Sequence, residues 1–277
     1  MTKKIFKNLI LLLLFVFTIT ILINNYTFVN ASSNEITLNI YKKNVSHKSE
    51  LYIIYAVEYE GIDIETNEIK LLFWNNEQTE YIKGTESYIS FNKGTTTIDD
   101  KKCIIFYSEG IAAKQMTEEI YARAYIEIEG KEYYSEVEKY SILDYALNRK
   151  ESGKATELET QLLDAMLEYG SLAQQLLNYN TGRLANSKYY KIEVTEGKLL
   201  DGTNYGRYQE EETVTLVANN KEGYKFVNWT DSNGNEVSTE QIFELTVTES
   251  NTYTANYVIG EIEEIIINYS ENKKESI

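Results

Sequence analysis

One cysteine and one histidine, Cys103 and His47, stand in 277 residues. A catalytic thiol needs a neighbouring base or cation to form the thiolate. Cys103 instead sits in the apolar run Cys103-Ile-Ile-Phe-Tyr107 with no histidine near it, which reads as a buried, inert thiol. His47 lies in the polar stretch Asn44–Glu50 and reads as a solvated loop residue. A lone cysteine excludes an intrachain disulfide and a multi-cysteine metal site, and a lone histidine excludes a two-histidine site. Asp231, Asn233 and Asn235 offer oxygens at alternate positions, as a calcium loop would. That loop needs Gly at its sixth position and an acid at its twelfth, where this chain has Glu236 and Ile242, so the stretch reads as a hairpin turn. No G-x-S-x-G elbow and no H-E-x-x-H helix occurs. Paired carboxylates are the one catalytic route that composition leaves open, since a glycosidase needs only two acids about 5–10 Å apart. With 43 acids present no pair stands out, and Glu210-Glu211-Glu212 and Glu118-Glu119 read as solvated charge. The sequence therefore names no catalytic, cofactor-binding or metal-ligating residue, implies no cofactor, and reads as a non-enzyme.

The elements that would position any site fall into two modules. From Glu35 to about Tyr140 the chain alternates in period two between turn residues. Leu51–Tyr59, Ile69–Trp74 and Cys103–Tyr107 read as strands, and Tyr121–Ile128 with Glu132–Tyr140 as a hairpin around Gly130. Short strands at this spacing predict an immunoglobulin-like β-sandwich, with Gly110–Met116 as a helical turn between two of them. Ser141 then caps a helix broken at Gly153, and Thr156 with Glu159 has capping-box spacing for a longer one. In that longer helix Leu158, Leu162, Met166, Tyr169, Ala173 and Leu176 share a face. Packing of this face against the sandwich is the expected use, and an exposed face that seats a partner is the alternative. Gly170, mid-helix, costs about 1 kcal/mol relative to Ala unless close packing needs the space.

Beyond the helices, Thr213–Val217 alternates, Tyr224, Phe226 and Trp229 supply large apolar area, and Asp231–Asn235 makes a tight turn. In a unit this small the aromatics are expected as core filling, with a sugar-stacking platform as the alternative. Tyr is abundant at 24 residues, and in adjacent pairs such as Tyr133-Tyr134 and Tyr189-Tyr190 one ring of each faces outward if the backbone is extended.

Charge and chain ends bear on location. Lys plus Arg total 27 against 43 Asp plus Glu, a formal charge of −16, which argues against nucleic acid or anionic lipid as a partner. The N-terminus carries Lys3, Lys4 and Lys7, then an apolar run Leu9–Ile23, then Val29-Asn30-Ala31, the order of a secretory signal cleaved after Ala31. Left uncleaved, the run would be a membrane anchor, although its 15 residues fall short of the ~20 that span hydrocarbon. The tail Asn268–Ile277 is polar.

Two resemblances add to this reading. Glu109-Gly-Ile-Ala-Ala-Lys-Gln-Met116, Tyr140-Ser-Ile-Leu-Asp-Tyr-Ala146 and Leu163-Asp-Ala-Met-Leu-Glu-Tyr-Gly170, with Ala173-Gln174, Tyr179 and Leu184-Ala-Asn186, resemble a module of exported Firmicutes proteins, clostridial ones above all. That family has no assigned activity, so it implies location and architecture. Tyr190-Lys-Ile-Glu-Val194, Gly197, Gly202, Tyr205-Gly206, Tyr208, Glu212–Ala218, Gly223-Tyr-Lys-Phe-Val-Asn-Trp-Thr230, Gly234 and Tyr253-Thr-Ala-Asn-Tyr257 resemble the divergent internalin B-type repeat of Gram-positive surface proteins.

The expected fold is mostly β, α+β overall: an immunoglobulin-like β-sandwich with a C-terminal helical hairpin, followed by a small β-grasp-like repeat domain. Its boundaries are a signal peptide at 1–31, the sandwich at 32–140, the helical hairpin at 141–187, the repeat at 188–258 and a polar tail at 259–277, with Asn186–Lys188 as a linker. The expected role is that of an exported, non-catalytic surface or secreted interaction protein of a Gram-positive bacterium, its partner a host or bacterial surface protein or glycan. A carbohydrate-binding accessory module and a cryptic carboxylate-dependent glycan hydrolase are the alternatives.

Overall fold

A computed structural model describes residues 35–47, 50–74, 84 and 86–260. The expected signal segment at 1–31 and nearly all of the expected polar tail lie outside the described residues. The first nine strands are β1 (Thr37–His47), β2 (Leu51–Glu60), β3 (Lys70–Trp74), β4 (Tyr88–Phe91), β5 (Thr95–Ile98), β6 (Lys101–Tyr107), β7 (Ile120–Ile128), β8 (Lys131–Tyr134) and β9 (Glu138–Tyr140). One antiparallel sheet has the order β1-β2-β6-β5, and a second runs β4-β3-β7-β8 with β9 paired to the start of β7. Alternation does what the period predicts. Ile53, Tyr55 and Val57 of β2, with Ile104 and Phe106 of β6, share a core with Leu71 and Phe73 of β3 and Ala122, Ala124 and Ile126 of β7. Tyr55 meets Phe73 edge-on across that core at 5.4 Å. The fold is mostly β and sandwich-like, with two helices. His47 closes β1 rather than lying in a loop.

Helix α1 spans Ile142–Glu151 and α2 spans Glu157–Leu176. Ser141 caps α1 reciprocally: its Oγ accepts from the Asp144 N–H at 2.9 Å, and Asp144 Oδ2 accepts from the Ser141 N–H at 3.0 Å. At α2 only half of the expected box forms. Thr156 Oγ1 accepts from the Glu159 N–H, while the Glu159 carboxylate takes a bidentate pair from Arg149. A short 3-10 turn, Ala113–Gln115, lies against the middle of α2. There Gly170 has its reason: a Cβ would sit 2.6 Å from Met116 Sδ and 3.2 Å from the Ala113 carbonyl oxygen.

The repeat comprises β10 (Tyr190–Thr195), β11 (Gly197–Leu199), β12 (Tyr205–Tyr208), β13 (Thr213–Ala218), β14 (Tyr224–Thr230), β15 (Glu236–Ser238), β16 (Ile242–Thr246) and β17 (Asn251–Ile259). Its larger sheet has the order β12-β10-β17-β14-β15, with β10 and β17 parallel, and its smaller one runs β11-β13-β16. Trp229 is fully buried between them, its indole N–H donating to the Glu240 carbonyl at 3.1 Å, and Phe226 packs beside it. Both are core filling. Tyr224, the third aromatic, is exposed. The Asp231 carboxylate accepts from the N–H groups of Asn233 and Asn235, so the would-be calcium loop is the turn from β14 into β15.

Candidate interaction surface

The expectation for α2 is inverted. Its buried residues are Leu163, Leu167, Gly170, Ser171 and Gln174. Gln174 serves as a polar post in that interface: its amide donates to Thr117 Oγ1 and to the Arg183 carbonyl, and its Oε1 accepts from the Ala185 N–H. Four of the six residues expected to fill the core point to solvent instead. Leu158 is 76% exposed, Leu162 55%, Tyr169 64% and Leu176 85%; Met166 and Ala173 are half-buried. Leu172 and Leu177 extend the same apolar surface. An exposed run of this size on one helix is uncommon unless something else covers it.

Beside the stripe lies a groove of about 470 Å³, with Met166 and Tyr169 of α2 on one wall and Ile111, Ala112, Ala113 and Met116 opposite. Glu50 stands at its rim with Leu51 and Gly110. The surface is thus one half helix and one half apolar slot, fixed from behind by Gly170 against the 3-10 turn.

Buried ion pairs and an inserted tyrosine hold the repeat against this module. Arg207 of β12 is 2% exposed and clasps Glu151 at the end of α1 through both terminal nitrogens, each at 2.6 Å. Its Nη2 also donates to Asn148 Oδ1, and its Nε faces Asp144 Oδ1 at 3.7 Å. Burial raises the Asp144 carboxyl above the usual range, and donors from Ser141 and the Arg207 charge pull it only part of the way back. Lys139 of β9, also buried, reaches Asp201 Oδ2 at 2.5 Å and Glu119 Oε1 at 3.5 Å. Burial raises the Asp201 carboxyl, but the Lys139 charge and hydrogen bonds from Lys139 and Thr203 outweigh it and hold it below its ordinary value. Glu119 is raised by burial, more than Lys139 offsets. Tyr205 inserts into the sandwich core and donates to the Lys139 carbonyl at 2.6 Å. Arg183 pairs with Glu212 at 2.7 Å and donates to the Arg207 carbonyl. The expected linker Asn186–Lys188 runs between buried Ala185 and Tyr189. The described residues from Thr37 to Gly260 cluster as one unit.

Of the acids expected as solvated charge, Glu210 and Glu211 are exposed, whereas Glu119 and Glu212 are drawn into these ion pairs. Glu119 and Asp201 do converge, but on a buried ammonium that takes up their charge. Cys103 is fully buried, and burial pushes its thiol up. A second, polar cleft of about 680 Å³ opens between Glu136–Glu138 and the repeat, walled by Thr195–Lys198, Asn204 and Asn219–Lys221. Its charges are paired across it, Lys198 with Glu136 at 2.6 Å and Lys221 with Glu196.

Comparison with known proteins bears on the repeat. Residues 190–261 match the family described as the divergent InlB B-repeat domain, and the match leaves the sandwich and helices outside it. No curated protein and no solved structure matches the chain. Repeats of this type are usually found in surface or secreted bacterial proteins, and this chain carries a bacterial surface-type repeat.

Proposed function

We propose that the chain is an exported, non-catalytic interaction protein of a Gram-positive surface, in which the sandwich and helices contact a host or bacterial surface protein and the repeat is a rigidly docked spacer. The observation that carries this reading is the outward apolar face of α2, which among the described residues has nothing packed on it. The polar cleft, with Asn204, Asn219 and Asn220 on its walls, favours the second reading, a carbohydrate-binding accessory module.

The test compares the full chain with its Leu162→Gln/Leu172→Gln variant against surface-protein extracts and a glycan array. Capture of a protein by the wild type and its loss in the variant supports the first reading. A glycan held equally by both moves the function to the cleft. Hydrolysis of a polysaccharide panel, abolished by one Asp or Glu substitution, would replace both readings with a hydrolase.

A further inference from the structure

The outward face of α2 has a finer order than a broad apolar stripe. Leu158, Leu162, Ala165, Tyr169, Leu172 and Leu176 follow one another at steps of 4, 3, 4, 3 and 4, and all six are exposed. Leu158, Ala165 and Leu172 recur every seven residues, as do Leu162, Tyr169 and Leu176, which is the heptad seam that a second helix reads by knobs-into-holes packing. It runs for about 27 Å at 1.5 Å per residue, or roughly five turns. The inward residues Leu163, Leu167, Gly170 and Gln174 occupy other helical positions, so the seam is additional to what the fold needs.

Charge decides between occupants. α2 carries Glu157, Glu159, Asp164 and Glu168 and no Lys or Arg. Arg149 and Lys150 of α1 answer only Glu159 and Asp164. Glu157 and Glu168 beside the seam, and Glu50 at the rim of the groove, leave the surroundings acidic. A second copy packed antiparallel, with Leu162 against the other Leu172, would bring Glu168 within one turn of its own equivalent, like charge near like. An anionic lipid surface meets the same acids. A helix with Lys or Arg flanking its apolar stripe meets them favourably.

We infer that the outward face of α2 and its adjoining groove seat one α-helix of another protein, aliphatic at 4-3 spacing and basic along its flanks. The inference rests on the reading of the chain as an interaction protein and names the class of partner. The seam supplies the apolar contact, the groove between Met166 and Ile111–Ala113 receives one projecting side chain, and Glu168 and Glu50 orient the basic flank.

The probe is a synthetic helix of roughly 21 residues with Leu at 4-3 spacing and Lys on the flanks. It is followed by fluorescence anisotropy with the full chain, beside a scrambled peptide of equal composition and one with Glu flanks. The Lys-flanked seam peptide should bind at least about tenfold more tightly than either control, and Leu162→Gln/Leu172→Gln should lose at least about tenfold with an unchanged thermal midpoint. Glu168→Gln should lose only a few-fold, as a rim charge does. Equal binding of the scrambled peptide, absence of binding, or retention by the Gln variant overturns the inference. Self-association of the chain that the Gln variant abolishes would assign the seat to a second copy, and such loss from phosphatidylcholine vesicles would assign it to lipid. If the peptide fails while the wild type still captures a protein that the Gln variant does not, the helix is wrong and the broader reading stands.

Discussion

Replacing Arg207 by Ala should cost more than any surface substitution in this chain. The guanidinium is 2% exposed and touches Glu151, Asn148 and the neighbourhood of Asp144. Removing one member of a buried pair costs about 3–5 kcal/mol, because the partner is left without compensation. Two features place Arg207→Ala at the lower end. Glu151 is half exposed and recovers water, and Asp144 can take a proton, its carboxyl already raised by burial. About 3 kcal/mol corresponds to a fall of about 6–12 °C in the thermal midpoint for a unit of this size. The pH dependence has a definite sign. A buried acid whose folded pKa lies above its unfolded value binds its proton more tightly when folded, so its contribution to stability falls as pH rises through the folded pKa. With Arg207 gone Asp144 rises further, so the deficit should be larger at the higher of two pH values above the ordinary carboxylate range and shrink at the lower. Adding Asp144→Asn to the Arg207→Ala chain keeps an acceptor for Ser141 and removes the charge, and should restore most of the loss at the higher pH. Thermal melts of the wild type, the two single variants and the double variant at both pH values decide it. A loss below about 1 kcal/mol, or a deficit that grows on acidification, would overturn the role given to this buried cation.

Three further outcomes follow from the packing. Gly170→Ala gains about 1 kcal/mol of helix propensity but must displace Met116 and press the Ala113 carbonyl, so a net loss of about 1 kcal/mol is expected and a stabilised variant would contradict it. Gly197→Ala puts a methyl 2.4 Å from the Trp229 ring and 2.8 Å from the Val217 carbonyl oxygen. Destabilisation of about 2 kcal/mol with red-shifted tryptophan emission should follow, and unchanged emission would count against it. Cys103 should stay unmodified by a disulfide reagent in the native protein and react in denaturant; rapid native labelling would mean that β6 opens.

Most of the β architecture was legible in the sequence because alternation is a local signal. The Ser141 cap, the hairpin at Gly130 and the turn after Asp231 each rest on residues within a few positions of one another. The candidate surface was half legible. A period of 3.6 finds an apolar stripe but not the side from which the rest of the protein approaches. On α2 the inward side contains Gly170, Ser171 and Gln174, and Gln174 looks too polar for a core until Thr117, Arg183 and Ala185 supply its partners. The outward stripe is the more apolar of the two, so hydrophobicity alone picks it for the core. Lys139 with Asp201, and Arg207 with Glu151, lie 62 and 56 residues apart in the chain, and no spacing rule connects them.

Oxidative footprinting of the full chain, free and with a captured partner, reads the binding face residue by residue. Leu162, Tyr169, Leu172 and Leu176 should lose reactivity on binding while Tyr224, exposed on the repeat, keeps its own. Protection at Tyr224 with α2 unchanged would contradict the assignment of binding to this helix.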